Sequence, residues 1–425
     1  MSNRPLDENR GMGGSRISLR NLGTFDSLKN PAYRLFFIGM IGFLTPMNME
    51  MLVRSLLIYR ITGSAAILGV MSLASALPML FLSLFGGVLA DRVHKKYVLL
   101  AGQSGSALVS LGVALSLTLG YLSVERPDSW WILFVASLFN GVISGLMLPS
   151  RQAIAPEIVR HDQMMNAISL GMLEMSALRL LAPAVSGFLI EAWGFAAVYY
   201  IMAGFYFISV FPIALMPLTR TITLRGRGTI ADIKEGLHYI RRETVILLIL
   251  VLIVFVSILS MPYQLLLPIF TDDILKVGAK GMGILMSVAG AGAIISSLFL
   301  ASIPNKKRGL MLLISCLISG ITLVGFAFSS SWSFSLTLIV FVGLGQTGRM
   351  ALSNTLLQTY STDEYRGRVI SIYMMEFGLS SLGTFGAGLL AESMGVQWAV
   401  GGFAIVLVVL MILALAFLPR LRRLD

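Results

Sequence analysis

Cysteine and charge are both scarce in this sequence. Its 425 residues include one cysteine, Cys316, which excludes an intrachain disulfide and a thiolate metal site. Charged residues make up 12% of the chain and hydrophobic residues 56%, whereas soluble domains carry about 25% charged residues. This composition excludes an intrinsically disordered chain, a secreted disulfide scaffold and a soluble enzyme, and it indicates a protein embedded in a membrane.

Motifs that mark enzymes are also missing. The sequence contains no GxxxxGK[ST] phosphate-binding loop, no HExxH and no GxSxG. Its three histidines, His94, His161 and His238, are too scattered to indicate a metal site. We therefore expect no enzyme activity and no cofactor, with a proton gradient as the energy source; Na⁺ as the coupling ion stays open. The polar residues 1–34 lack the apolar core of a cleavable signal peptide.

Long apolar runs dominate the rest of the chain. A membrane-spanning helix needs about 20 mostly apolar residues. Helices are expected rather than strands, because the runs show no alternation and a lipid-facing backbone must satisfy its own hydrogen bonds. The sequence thus predicts an all-α membrane protein with twelve transmembrane helices, at 35–59, 66–90, 97–122, 130–150, 164–190, 195–218, 245–270, 282–302, 309–329, 332–357, 369–391 and 397–418.

The basic residues are distributed unevenly between the loops. With both termini in the cytoplasm, the predicted inner loops and tails carry 25 of the 32 Lys and Arg residues, and the outer loops carry four. Such an excess is the positive-inside pattern of membrane proteins. We expect a multi-pass protein of the plasma or inner membrane, a monomer whose partners are the lipid bilayer and a small-molecule substrate. The net charge of +11 then reflects topology rather than binding to nucleic acid.

The two halves of the sequence repeat. Leu89–Lys96 aligns without a gap with Leu300–Lys307, and Ile168–Glu174 with Ile370–Glu376; Glu191 also recurs as Glu392. Two similar six-helix halves enclose a central site that they open alternately to either side. The linker between them is predicted to contain an amphipathic helix, which either lies on the inner leaflet or is solvated. The predicted organisation is an N-terminal tail 1–34, a six-helix bundle 35–218, a linker 219–244, a second bundle 245–418 and a C-terminal tail 419–425.

Several motifs resemble those of a known family. Gly87–Lys96, between spans 2 and 3, resembles motif A of the major facilitator superfamily. Four further segments resemble the branch of this family that contains enterobactin exporters and macrolide-efflux proteins. They are Tyr59–Ser64, Asp232–Arg242, Leu267–Phe270 and Arg366–Val369. Motif C of the family's antiporters, Gly-Pro-x-x-Gly-Gly, is retained only in part, as Pro183 and Gly187.

The resemblance implies a function. It suggests the major facilitator fold and proton-coupled export, by antiport and alternating access, of an amphipathic organic compound such as a drug, a macrolide or a siderophore. Uptake of a nutrient or organic anion is the alternative, in which arginines within the spans bind a carboxylate or phosphate. A non-transporting receptor or scaffold is less favoured, because the loops are too short for a docking domain.

Ionisable residues inside the spans form the candidate substrate and proton pathway. An isolated charge at mid-bilayer costs about 3 kcal/mol, so these side chains should pair or face water. Glu50 and Arg54 are four residues apart on one helical face, which predicts an ion pair, whereas the five-residue spacing of Glu174 and Arg179 does not. The six candidates are Glu50, Arg54, Glu174, Arg179, Arg349 and Glu376.

Two roles stay open for these residues. The resemblance implies that helices 1, 4, 7 and 10 line a cavity, so that Glu50, Arg54 and Arg349 face the transport path. The carboxylates Glu50, Glu174 and Glu376 are the candidate proton carriers. A self-neutralising pair at Glu50, or a hydrogen-bond anchor between helices at the other two, is the structural alternative.

A cytoplasmic gate is expected where motif A meets helix 11. Asp91 ends helix 2, where the helix dipole disfavours an anion unless another helix presents its N-terminus. The resemblance implies that Asp91 latches onto the start of helix 11, near Arg366 and Arg368, with Gly87 permitting close approach. The other motif A residues in this gate are Arg92, Lys95 and Lys96, for which a purely topological role is the alternative.

Overall fold

The computed structural model of the protein describes residues 23–218, 229–303 and 306–424. Within these ranges the fold is all-helical, as predicted, and contains no β-strand. The helices are, in chain order, α1 (Pro31–Thr62), α2 (Ala65–Arg92), α3 (Lys95–Thr118), α4 (Trp131–Ile158), α5 (Met164–Leu215), α6 (Thr229–Arg242), α7 (Thr244–Ser260), α8 (Pro262–Ile269), α9 (Gly278–Ser302), α10 (Arg308–Ala327), α11 (Trp332–Tyr360), α12 (Arg366–Met374), α13 (Glu376–Met394), α14 (Val396–Phe417) and α15 (Pro419–Arg422).

Ten helical segments of the described chain are long and apolar enough to cross a membrane. One of them, α5, has 52 residues, or about 78 Å at 1.5 Å per residue, which is far more than one crossing of about 30 Å requires. Gly194 interrupts α5 with φ 77°, between the fifth and sixth predicted spans. If the two arms of α5 are counted separately, and α12 with α13 is counted as one further span, the described chain contains twelve candidate spans. This number agrees with the predicted twelve.

The turn between α1 and α2 explains one of the sequence motifs. Gly63 ends α1 with φ 62°, a left-handed conformation that glycine adopts without strain. The Ser64 side chain then accepts a hydrogen bond from the backbone amide of Ile67 at 3.3 Å and so caps α2. The Tyr59–Ser64 motif is therefore a helix stop followed at once by a helix start.

The two ends of the molecule differ in how their buried hydrophobic residues cluster. The sealed end carries the turns at 62–65, 274–278 and 394–396, and there a single core includes buried residues from both halves of the chain. The split end carries the turns at 92–95 and 360–366. Around it the N-terminal and C-terminal halves have separate cores, so the two halves share a core at one end and not at the other.

Small residues let the halves approach where they meet. An added Cβ at Gly187 of α5 would lie 2.5 Å from the carbonyl oxygen of Ala279 in α9, and one at Gly283 would lie 2.6 Å from that of Pro183. At Gly388 of α13, it would lie 2.6 Å from the oxygen of Ala65 in α2. The retained motif C residues Pro183 and Gly187 thus lie in the contact between the two halves.

Candidate functional site

A cavity of about 390 Å³ lies between the two halves. Helices α1, α2, α4 and α5 contribute to one wall, and α8, α9 and α11 to the other. Four methionines, Met47, Met51, Met79 and Met286, form part of its apolar surface. Its principal polar side chains are Glu50, Arg54, Asn140, Arg179, Tyr263, Gln264 and Gln346.

The predicted pair on α1 faces this cavity. Arg54 Nη1 lies 3.7 Å from Glu50 Oε1, which also accepts a hydrogen bond from Asn140 Nδ2 at 2.6 Å. Arg54 Nη1 donates to Ser137 Oγ at 3.2 Å. Two helices, α1 and α4, therefore hold the pair, and both charged side chains remain 15% exposed, in reach of whatever enters the cavity.

Arg179 lines the cavity from α5, next to the contact between the halves. As predicted from its spacing, it does not pair with Glu174, and no carboxylate of the described chain lies within 4.0 Å of its guanidinium. The facing wall belongs to the C-terminal half. There Gln264 Nε2 donates to Gln346 Oε1 at 3.2 Å and lies 3.5 Å from the Tyr263 hydroxyl.

Glu174 lies away from the cavity wall. Its side chain is 8% exposed, and its Oε1 is buried without a hydrogen-bond partner in the described structure. It interacts electrostatically with Arg151. Arg151 belongs to α4, which continues to Ile158, because the helix extends beyond the apolar run that predicted span 4.

Arg349 and Glu376 form an ion pair with each other. Arg349 Nη1 and Ser257 Oγ both donate to Glu376 Oε1, which joins α11, α13 and α7. Both charged side chains are 4% exposed, and neither lines the cavity. In this conformation Arg349 faces Glu376 rather than the transport path that the resemblance implied for it.

At the split end, the described motif A residues of the N-terminal half have contacts within that half. Lys95 Nζ binds Glu157 Oε1 at 2.5 Å, and Lys96 Nζ donates to the carbonyl of Met216 at 2.6 Å. Arg92 is exposed, and nothing lies within 4 Å of a Cβ added at Gly87. The Asp91 side chain lies outside the described part of the structure, so its latch stays a prediction.

Arg366 and Arg368, the predicted partners of motif A on helix 11, have contacts of their own in the described chain. Arg366 binds Asp363 at 2.7 Å, and Arg368 Nη1 lies 3.1 Å from Glu235 Oε1. Glu235 belongs to α6, whose position agrees with the amphipathic helix predicted in the linker. It also accepts a hydrogen bond from the Tyr365 hydroxyl at 3.1 Å. The linker helix thus docks on the start of α12, which begins the eleventh predicted span.

The sealed end has polar contacts that the sequence analysis did not identify. Arg60 Nε donates to Asp272 Oδ2 at 2.8 Å, and the Tyr59 hydroxyl donates to Asp273. Nothing in the sequence indicated Asp272 as the partner of Arg60 or Asp273 as the partner of Tyr59. These contacts tie the end of α1 to the π-helical segment Phe270–Ile274, which directly follows α8.

Glu392 adds a third contact at this end. It accepts hydrogen bonds from Ser64 Oγ at 3.0 Å and from the backbone amide of Ala66 at 3.2 Å, at the N-terminus of α2, where an anion is favoured. The alignment of Glu392 with Glu191 in the sequence repeat was the only indication that Glu392 has a role. Among the described residues, no group of three His, Cys, Asp or Glu side chains is placed to hold a metal ion.

Comparisons with known proteins agree with this architecture. Residues 22–425 match the family model of transmembrane secretion effectors. The staphyloferrin A transporter of Staphylococcus aureus is 25% identical over 78% of this chain and 83% of its own length. The enterobactin exporter of Shigella boydii is 23% identical over 93% of this chain and 94% of its own length.

A solved structure supports the fold. A bacterial homologue of the human lysosomal transporter Spinster, in an inward-facing and occupied conformation, superimposes with a TM-score of 0.72. The match covers 93% of this chain and 97% of that one, at 12% sequence identity. At this low identity, the superposition shows that the two proteins share a fold.

Proposed function

Because the chain belongs to the transmembrane secretion effector family of major facilitator superfamily transporters, we propose that it exports an amphipathic organic compound from the cytoplasm in exchange for protons. The observation that carries this proposal is the cavity between the halves, in which a paired carboxylate, Glu50, faces a mixed polar and methionine-rich surface. No cofactor takes part, and the proton gradient supplies the energy.

The distribution of basic residues supports the orientation. The split end carries the turns at which the sequence has its Lys and Arg excess, so by the positive-inside rule it faces the cytoplasm. A shared core at the outer end and separate cores at the inner end support an inward-facing state. Export begins from such a state, because the cavity receives its cargo from the inner side.

The Glu50–Arg54 pair supplies a mechanism for coupling. A proton on Glu50 cancels its charge and removes the attraction to Arg54, whose guanidinium lies 3.7 Å away. Arg54 then reorients toward the cavity or the substrate, and the balance between the two conformations of the bundle shifts. Loss of the proton to the cytoplasm restores the pair.

Everted membrane vesicles test the proposal. We expect a pH gradient, acid inside, to drive uptake of at least one compound from a panel containing a macrolide, a catecholate siderophore and an aromatic dye. Glu50→Gln should lose gradient-driven uptake at least tenfold, because the amide cannot carry the proton, but it should retain exchange of labelled for unlabelled substrate. Glu50→Asp should keep part of the coupling.

A matched control comes from the loop between α3 and α4. Glu125 is exposed and outside the helices, so Glu125→Gln should transport as the wild type does. Undiminished gradient-driven uptake in Glu50→Gln would remove Glu50 as the proton carrier. Accumulation of the compound in intact cells, rather than its depletion, would favour the alternative of uptake.

A further inference from the structure

The charges that line the cavity do not balance. Glu50 and Arg54 neutralise each other, and Asn140 donates a hydrogen bond to the Glu50 carboxylate. Arg179, the third ionisable side chain of the wall, has no carboxylate of the described chain within ion-pair distance. The cavity wall therefore carries one positive charge without a carboxylate partner in the described chain. The Arg179 side chain is exposed, so an anionic ligand can reach its guanidinium.

The facing wall presents a hydrogen-bond group without a partner. Gln346 is 7% exposed, and its Oε1 accepts a hydrogen bond from Gln264. Its buried Nε2 faces the Tyr263 hydroxyl but makes no hydrogen bond of 3.5 Å or less in the described structure. Because a buried amide donor without a partner is costly, this position favours a ligand acceptor. The Tyr263 hydroxyl lies beside the same glutamine pair and within electrostatic range of Arg179.

We propose that Arg179 and Gln346 together bind a carboxylate of the substrate, so that the transported compound is an amphipathic organic anion. Guanidinium groups bind carboxylates through charge-assisted, often bidentate hydrogen bonds, and the Gln346 amide supplies a further donor. The apolar body of the compound packs on the cavity methionines, which are flexible and adapt to different shapes. This inference rests on the proposed transport function and names its substrate class.

The position of the site has a consequence for transport. Arg179 belongs to the N-terminal half and Gln346 to the C-terminal half, so one bound carboxylate contacts both. A ligand that bridges the halves favours their approach around it, since it gains contacts only when both are close. In this conformation Glu50 pairs with Arg54 and Glu376 with Arg349, so of the three arginines Arg179 is the one that offers an unpaired charge to the anion.

Equilibrium binding of three matched probes tests the assignment. The compounds 1-naphthoate, 1-naphthamide and 1-naphthylmethylammonium share one aromatic body and carry charges of about −1, 0 and +1 at neutral pH. Binding is measured with radiolabelled probes on the purified full chain in phosphatidylcholine nanodiscs, after subtraction of empty nanodiscs. We expect naphthoate to bind at least tenfold more tightly than the ammonium probe.

Variants assign that preference to the two residues. Arg179→Gln should weaken naphthoate at least tenfold and change naphthamide less than twofold, whereas Arg179→Lys should keep the preference for the anion. Gln346→Leu should weaken naphthoate about threefold to tenfold. Arg126→Gln, in the exposed loop between α3 and α4, is the matched control and should bind all three probes as the wild type does.

Three results would overturn the inference: equal affinity for the three probes, no saturable binding of any of them, or unchanged naphthoate affinity in Arg179→Gln. The binding assay needs no proton gradient, and its result does not depend on the direction of transport. Its failure leaves proton-coupled export intact, and failure of the vesicle experiment leaves an anion-selective cavity intact.

Discussion

Two glutamate–arginine pairs lie within the transmembrane helices, in opposite halves of the molecule and in opposite surroundings. Glu50 and Arg54 share one helix, face the cavity and keep 15% of each side chain exposed. Arg349 and Glu376 come from different helices, are packed against Ser257 and keep 4% exposed. The same residue types therefore serve a solvated site in one half and a buried cross-link in the other.

The difference shows that a charge in a transmembrane helix does not by itself indicate a transport role. A charge facing water or a ligand can change its partner or its protonation at small cost, whereas a buried pair is held by the penalty of separating it. Glu50 and Arg54 meet the first condition in the described conformation. Arg349 and Glu376 meet the second, which favours the anchoring role left open for Glu376.

Removing one member of each pair should give the largest difference. Arg349→Met leaves the Glu376 carboxylate buried without its cation, and we expect a loss of about 3–5 kcal/mol in the free energy of unfolding. Arg54→Met leaves Glu50 with Asn140 and access to water, and we expect a loss of about 1 kcal/mol or less. Unfolding in detergent micelles, followed by circular dichroism, measures both.

A double substitution serves as the control for this comparison. Arg349→Met combined with Glu376→Leu replaces the buried pair by apolar side chains, and it should recover most of the stability lost in the single variant. Equal stability losses in Arg349→Met and Arg54→Met would contradict the distinction. Loss of proton coupling in Glu376→Gln with unchanged stability would instead assign Glu376 to the proton path.

The sealed end provides a pair of intermediate exposure, Arg60–Asp272, with side chains 34% and 18% exposed. Because this pair joins the two halves, its loss should change the conformational balance more than the stability. Arg60→Asp places two like charges together and should raise the population open at this end by about fivefold, the equivalent of about 1 kcal/mol. The swap Arg60→Asp with Asp272→Arg should restore the original balance.

Accessibility of an introduced cysteine measures this shift. In a Cys316→Ser background, Met286→Cys places one thiol on the cavity wall, and a membrane-impermeant maleimide is added from each side separately. Labelling from the sealed end should be slow in the otherwise native chain and faster with Arg60→Asp. The same slow labelling in Arg60→Asp would show that the Tyr59 and Glu392 contacts hold this end without the ion pair.

Much of the fold was predictable because its signals are local. Apolar runs predicted the spans, and Gly194 interrupts α5 between two of them. The Glu50–Arg54 pair was predicted from a spacing of four residues, which places both side chains on one face of any helix. These inferences need only the geometry of a single helix.

The contacts between helices were not predictable in the same way. Arg349 and Glu376 are 27 residues apart and Arg60 and Asp272 are 212 apart, so their pairing depends on how separate helices pack. Helix α4 continues beyond the apolar run that predicted span 4, so Arg151 lies on a helix outside the predicted span. The repeat indicated Glu392, but only the packing of α13 against α2 explains what it binds.

The smallest effect is expected at the most exposed of these pairs, Arg366–Asp363, with side chains 45% and 91% exposed. Asp363→Asn should leave both stability and gradient-driven uptake unchanged, because exposed pairs contribute little and Arg366 keeps its hydrogen bond to the carbonyl of Gln358 at 3.2 Å. Arg366→Gln removes the charge that the inner latch needs when the split end closes, so it should slow uptake without lowering stability. The initial rate of uptake in everted vesicles separates the two variants. If both behave as the wild type does, Arg366 serves only local contacts, and Asp91 must find its partner elsewhere at the start of α12.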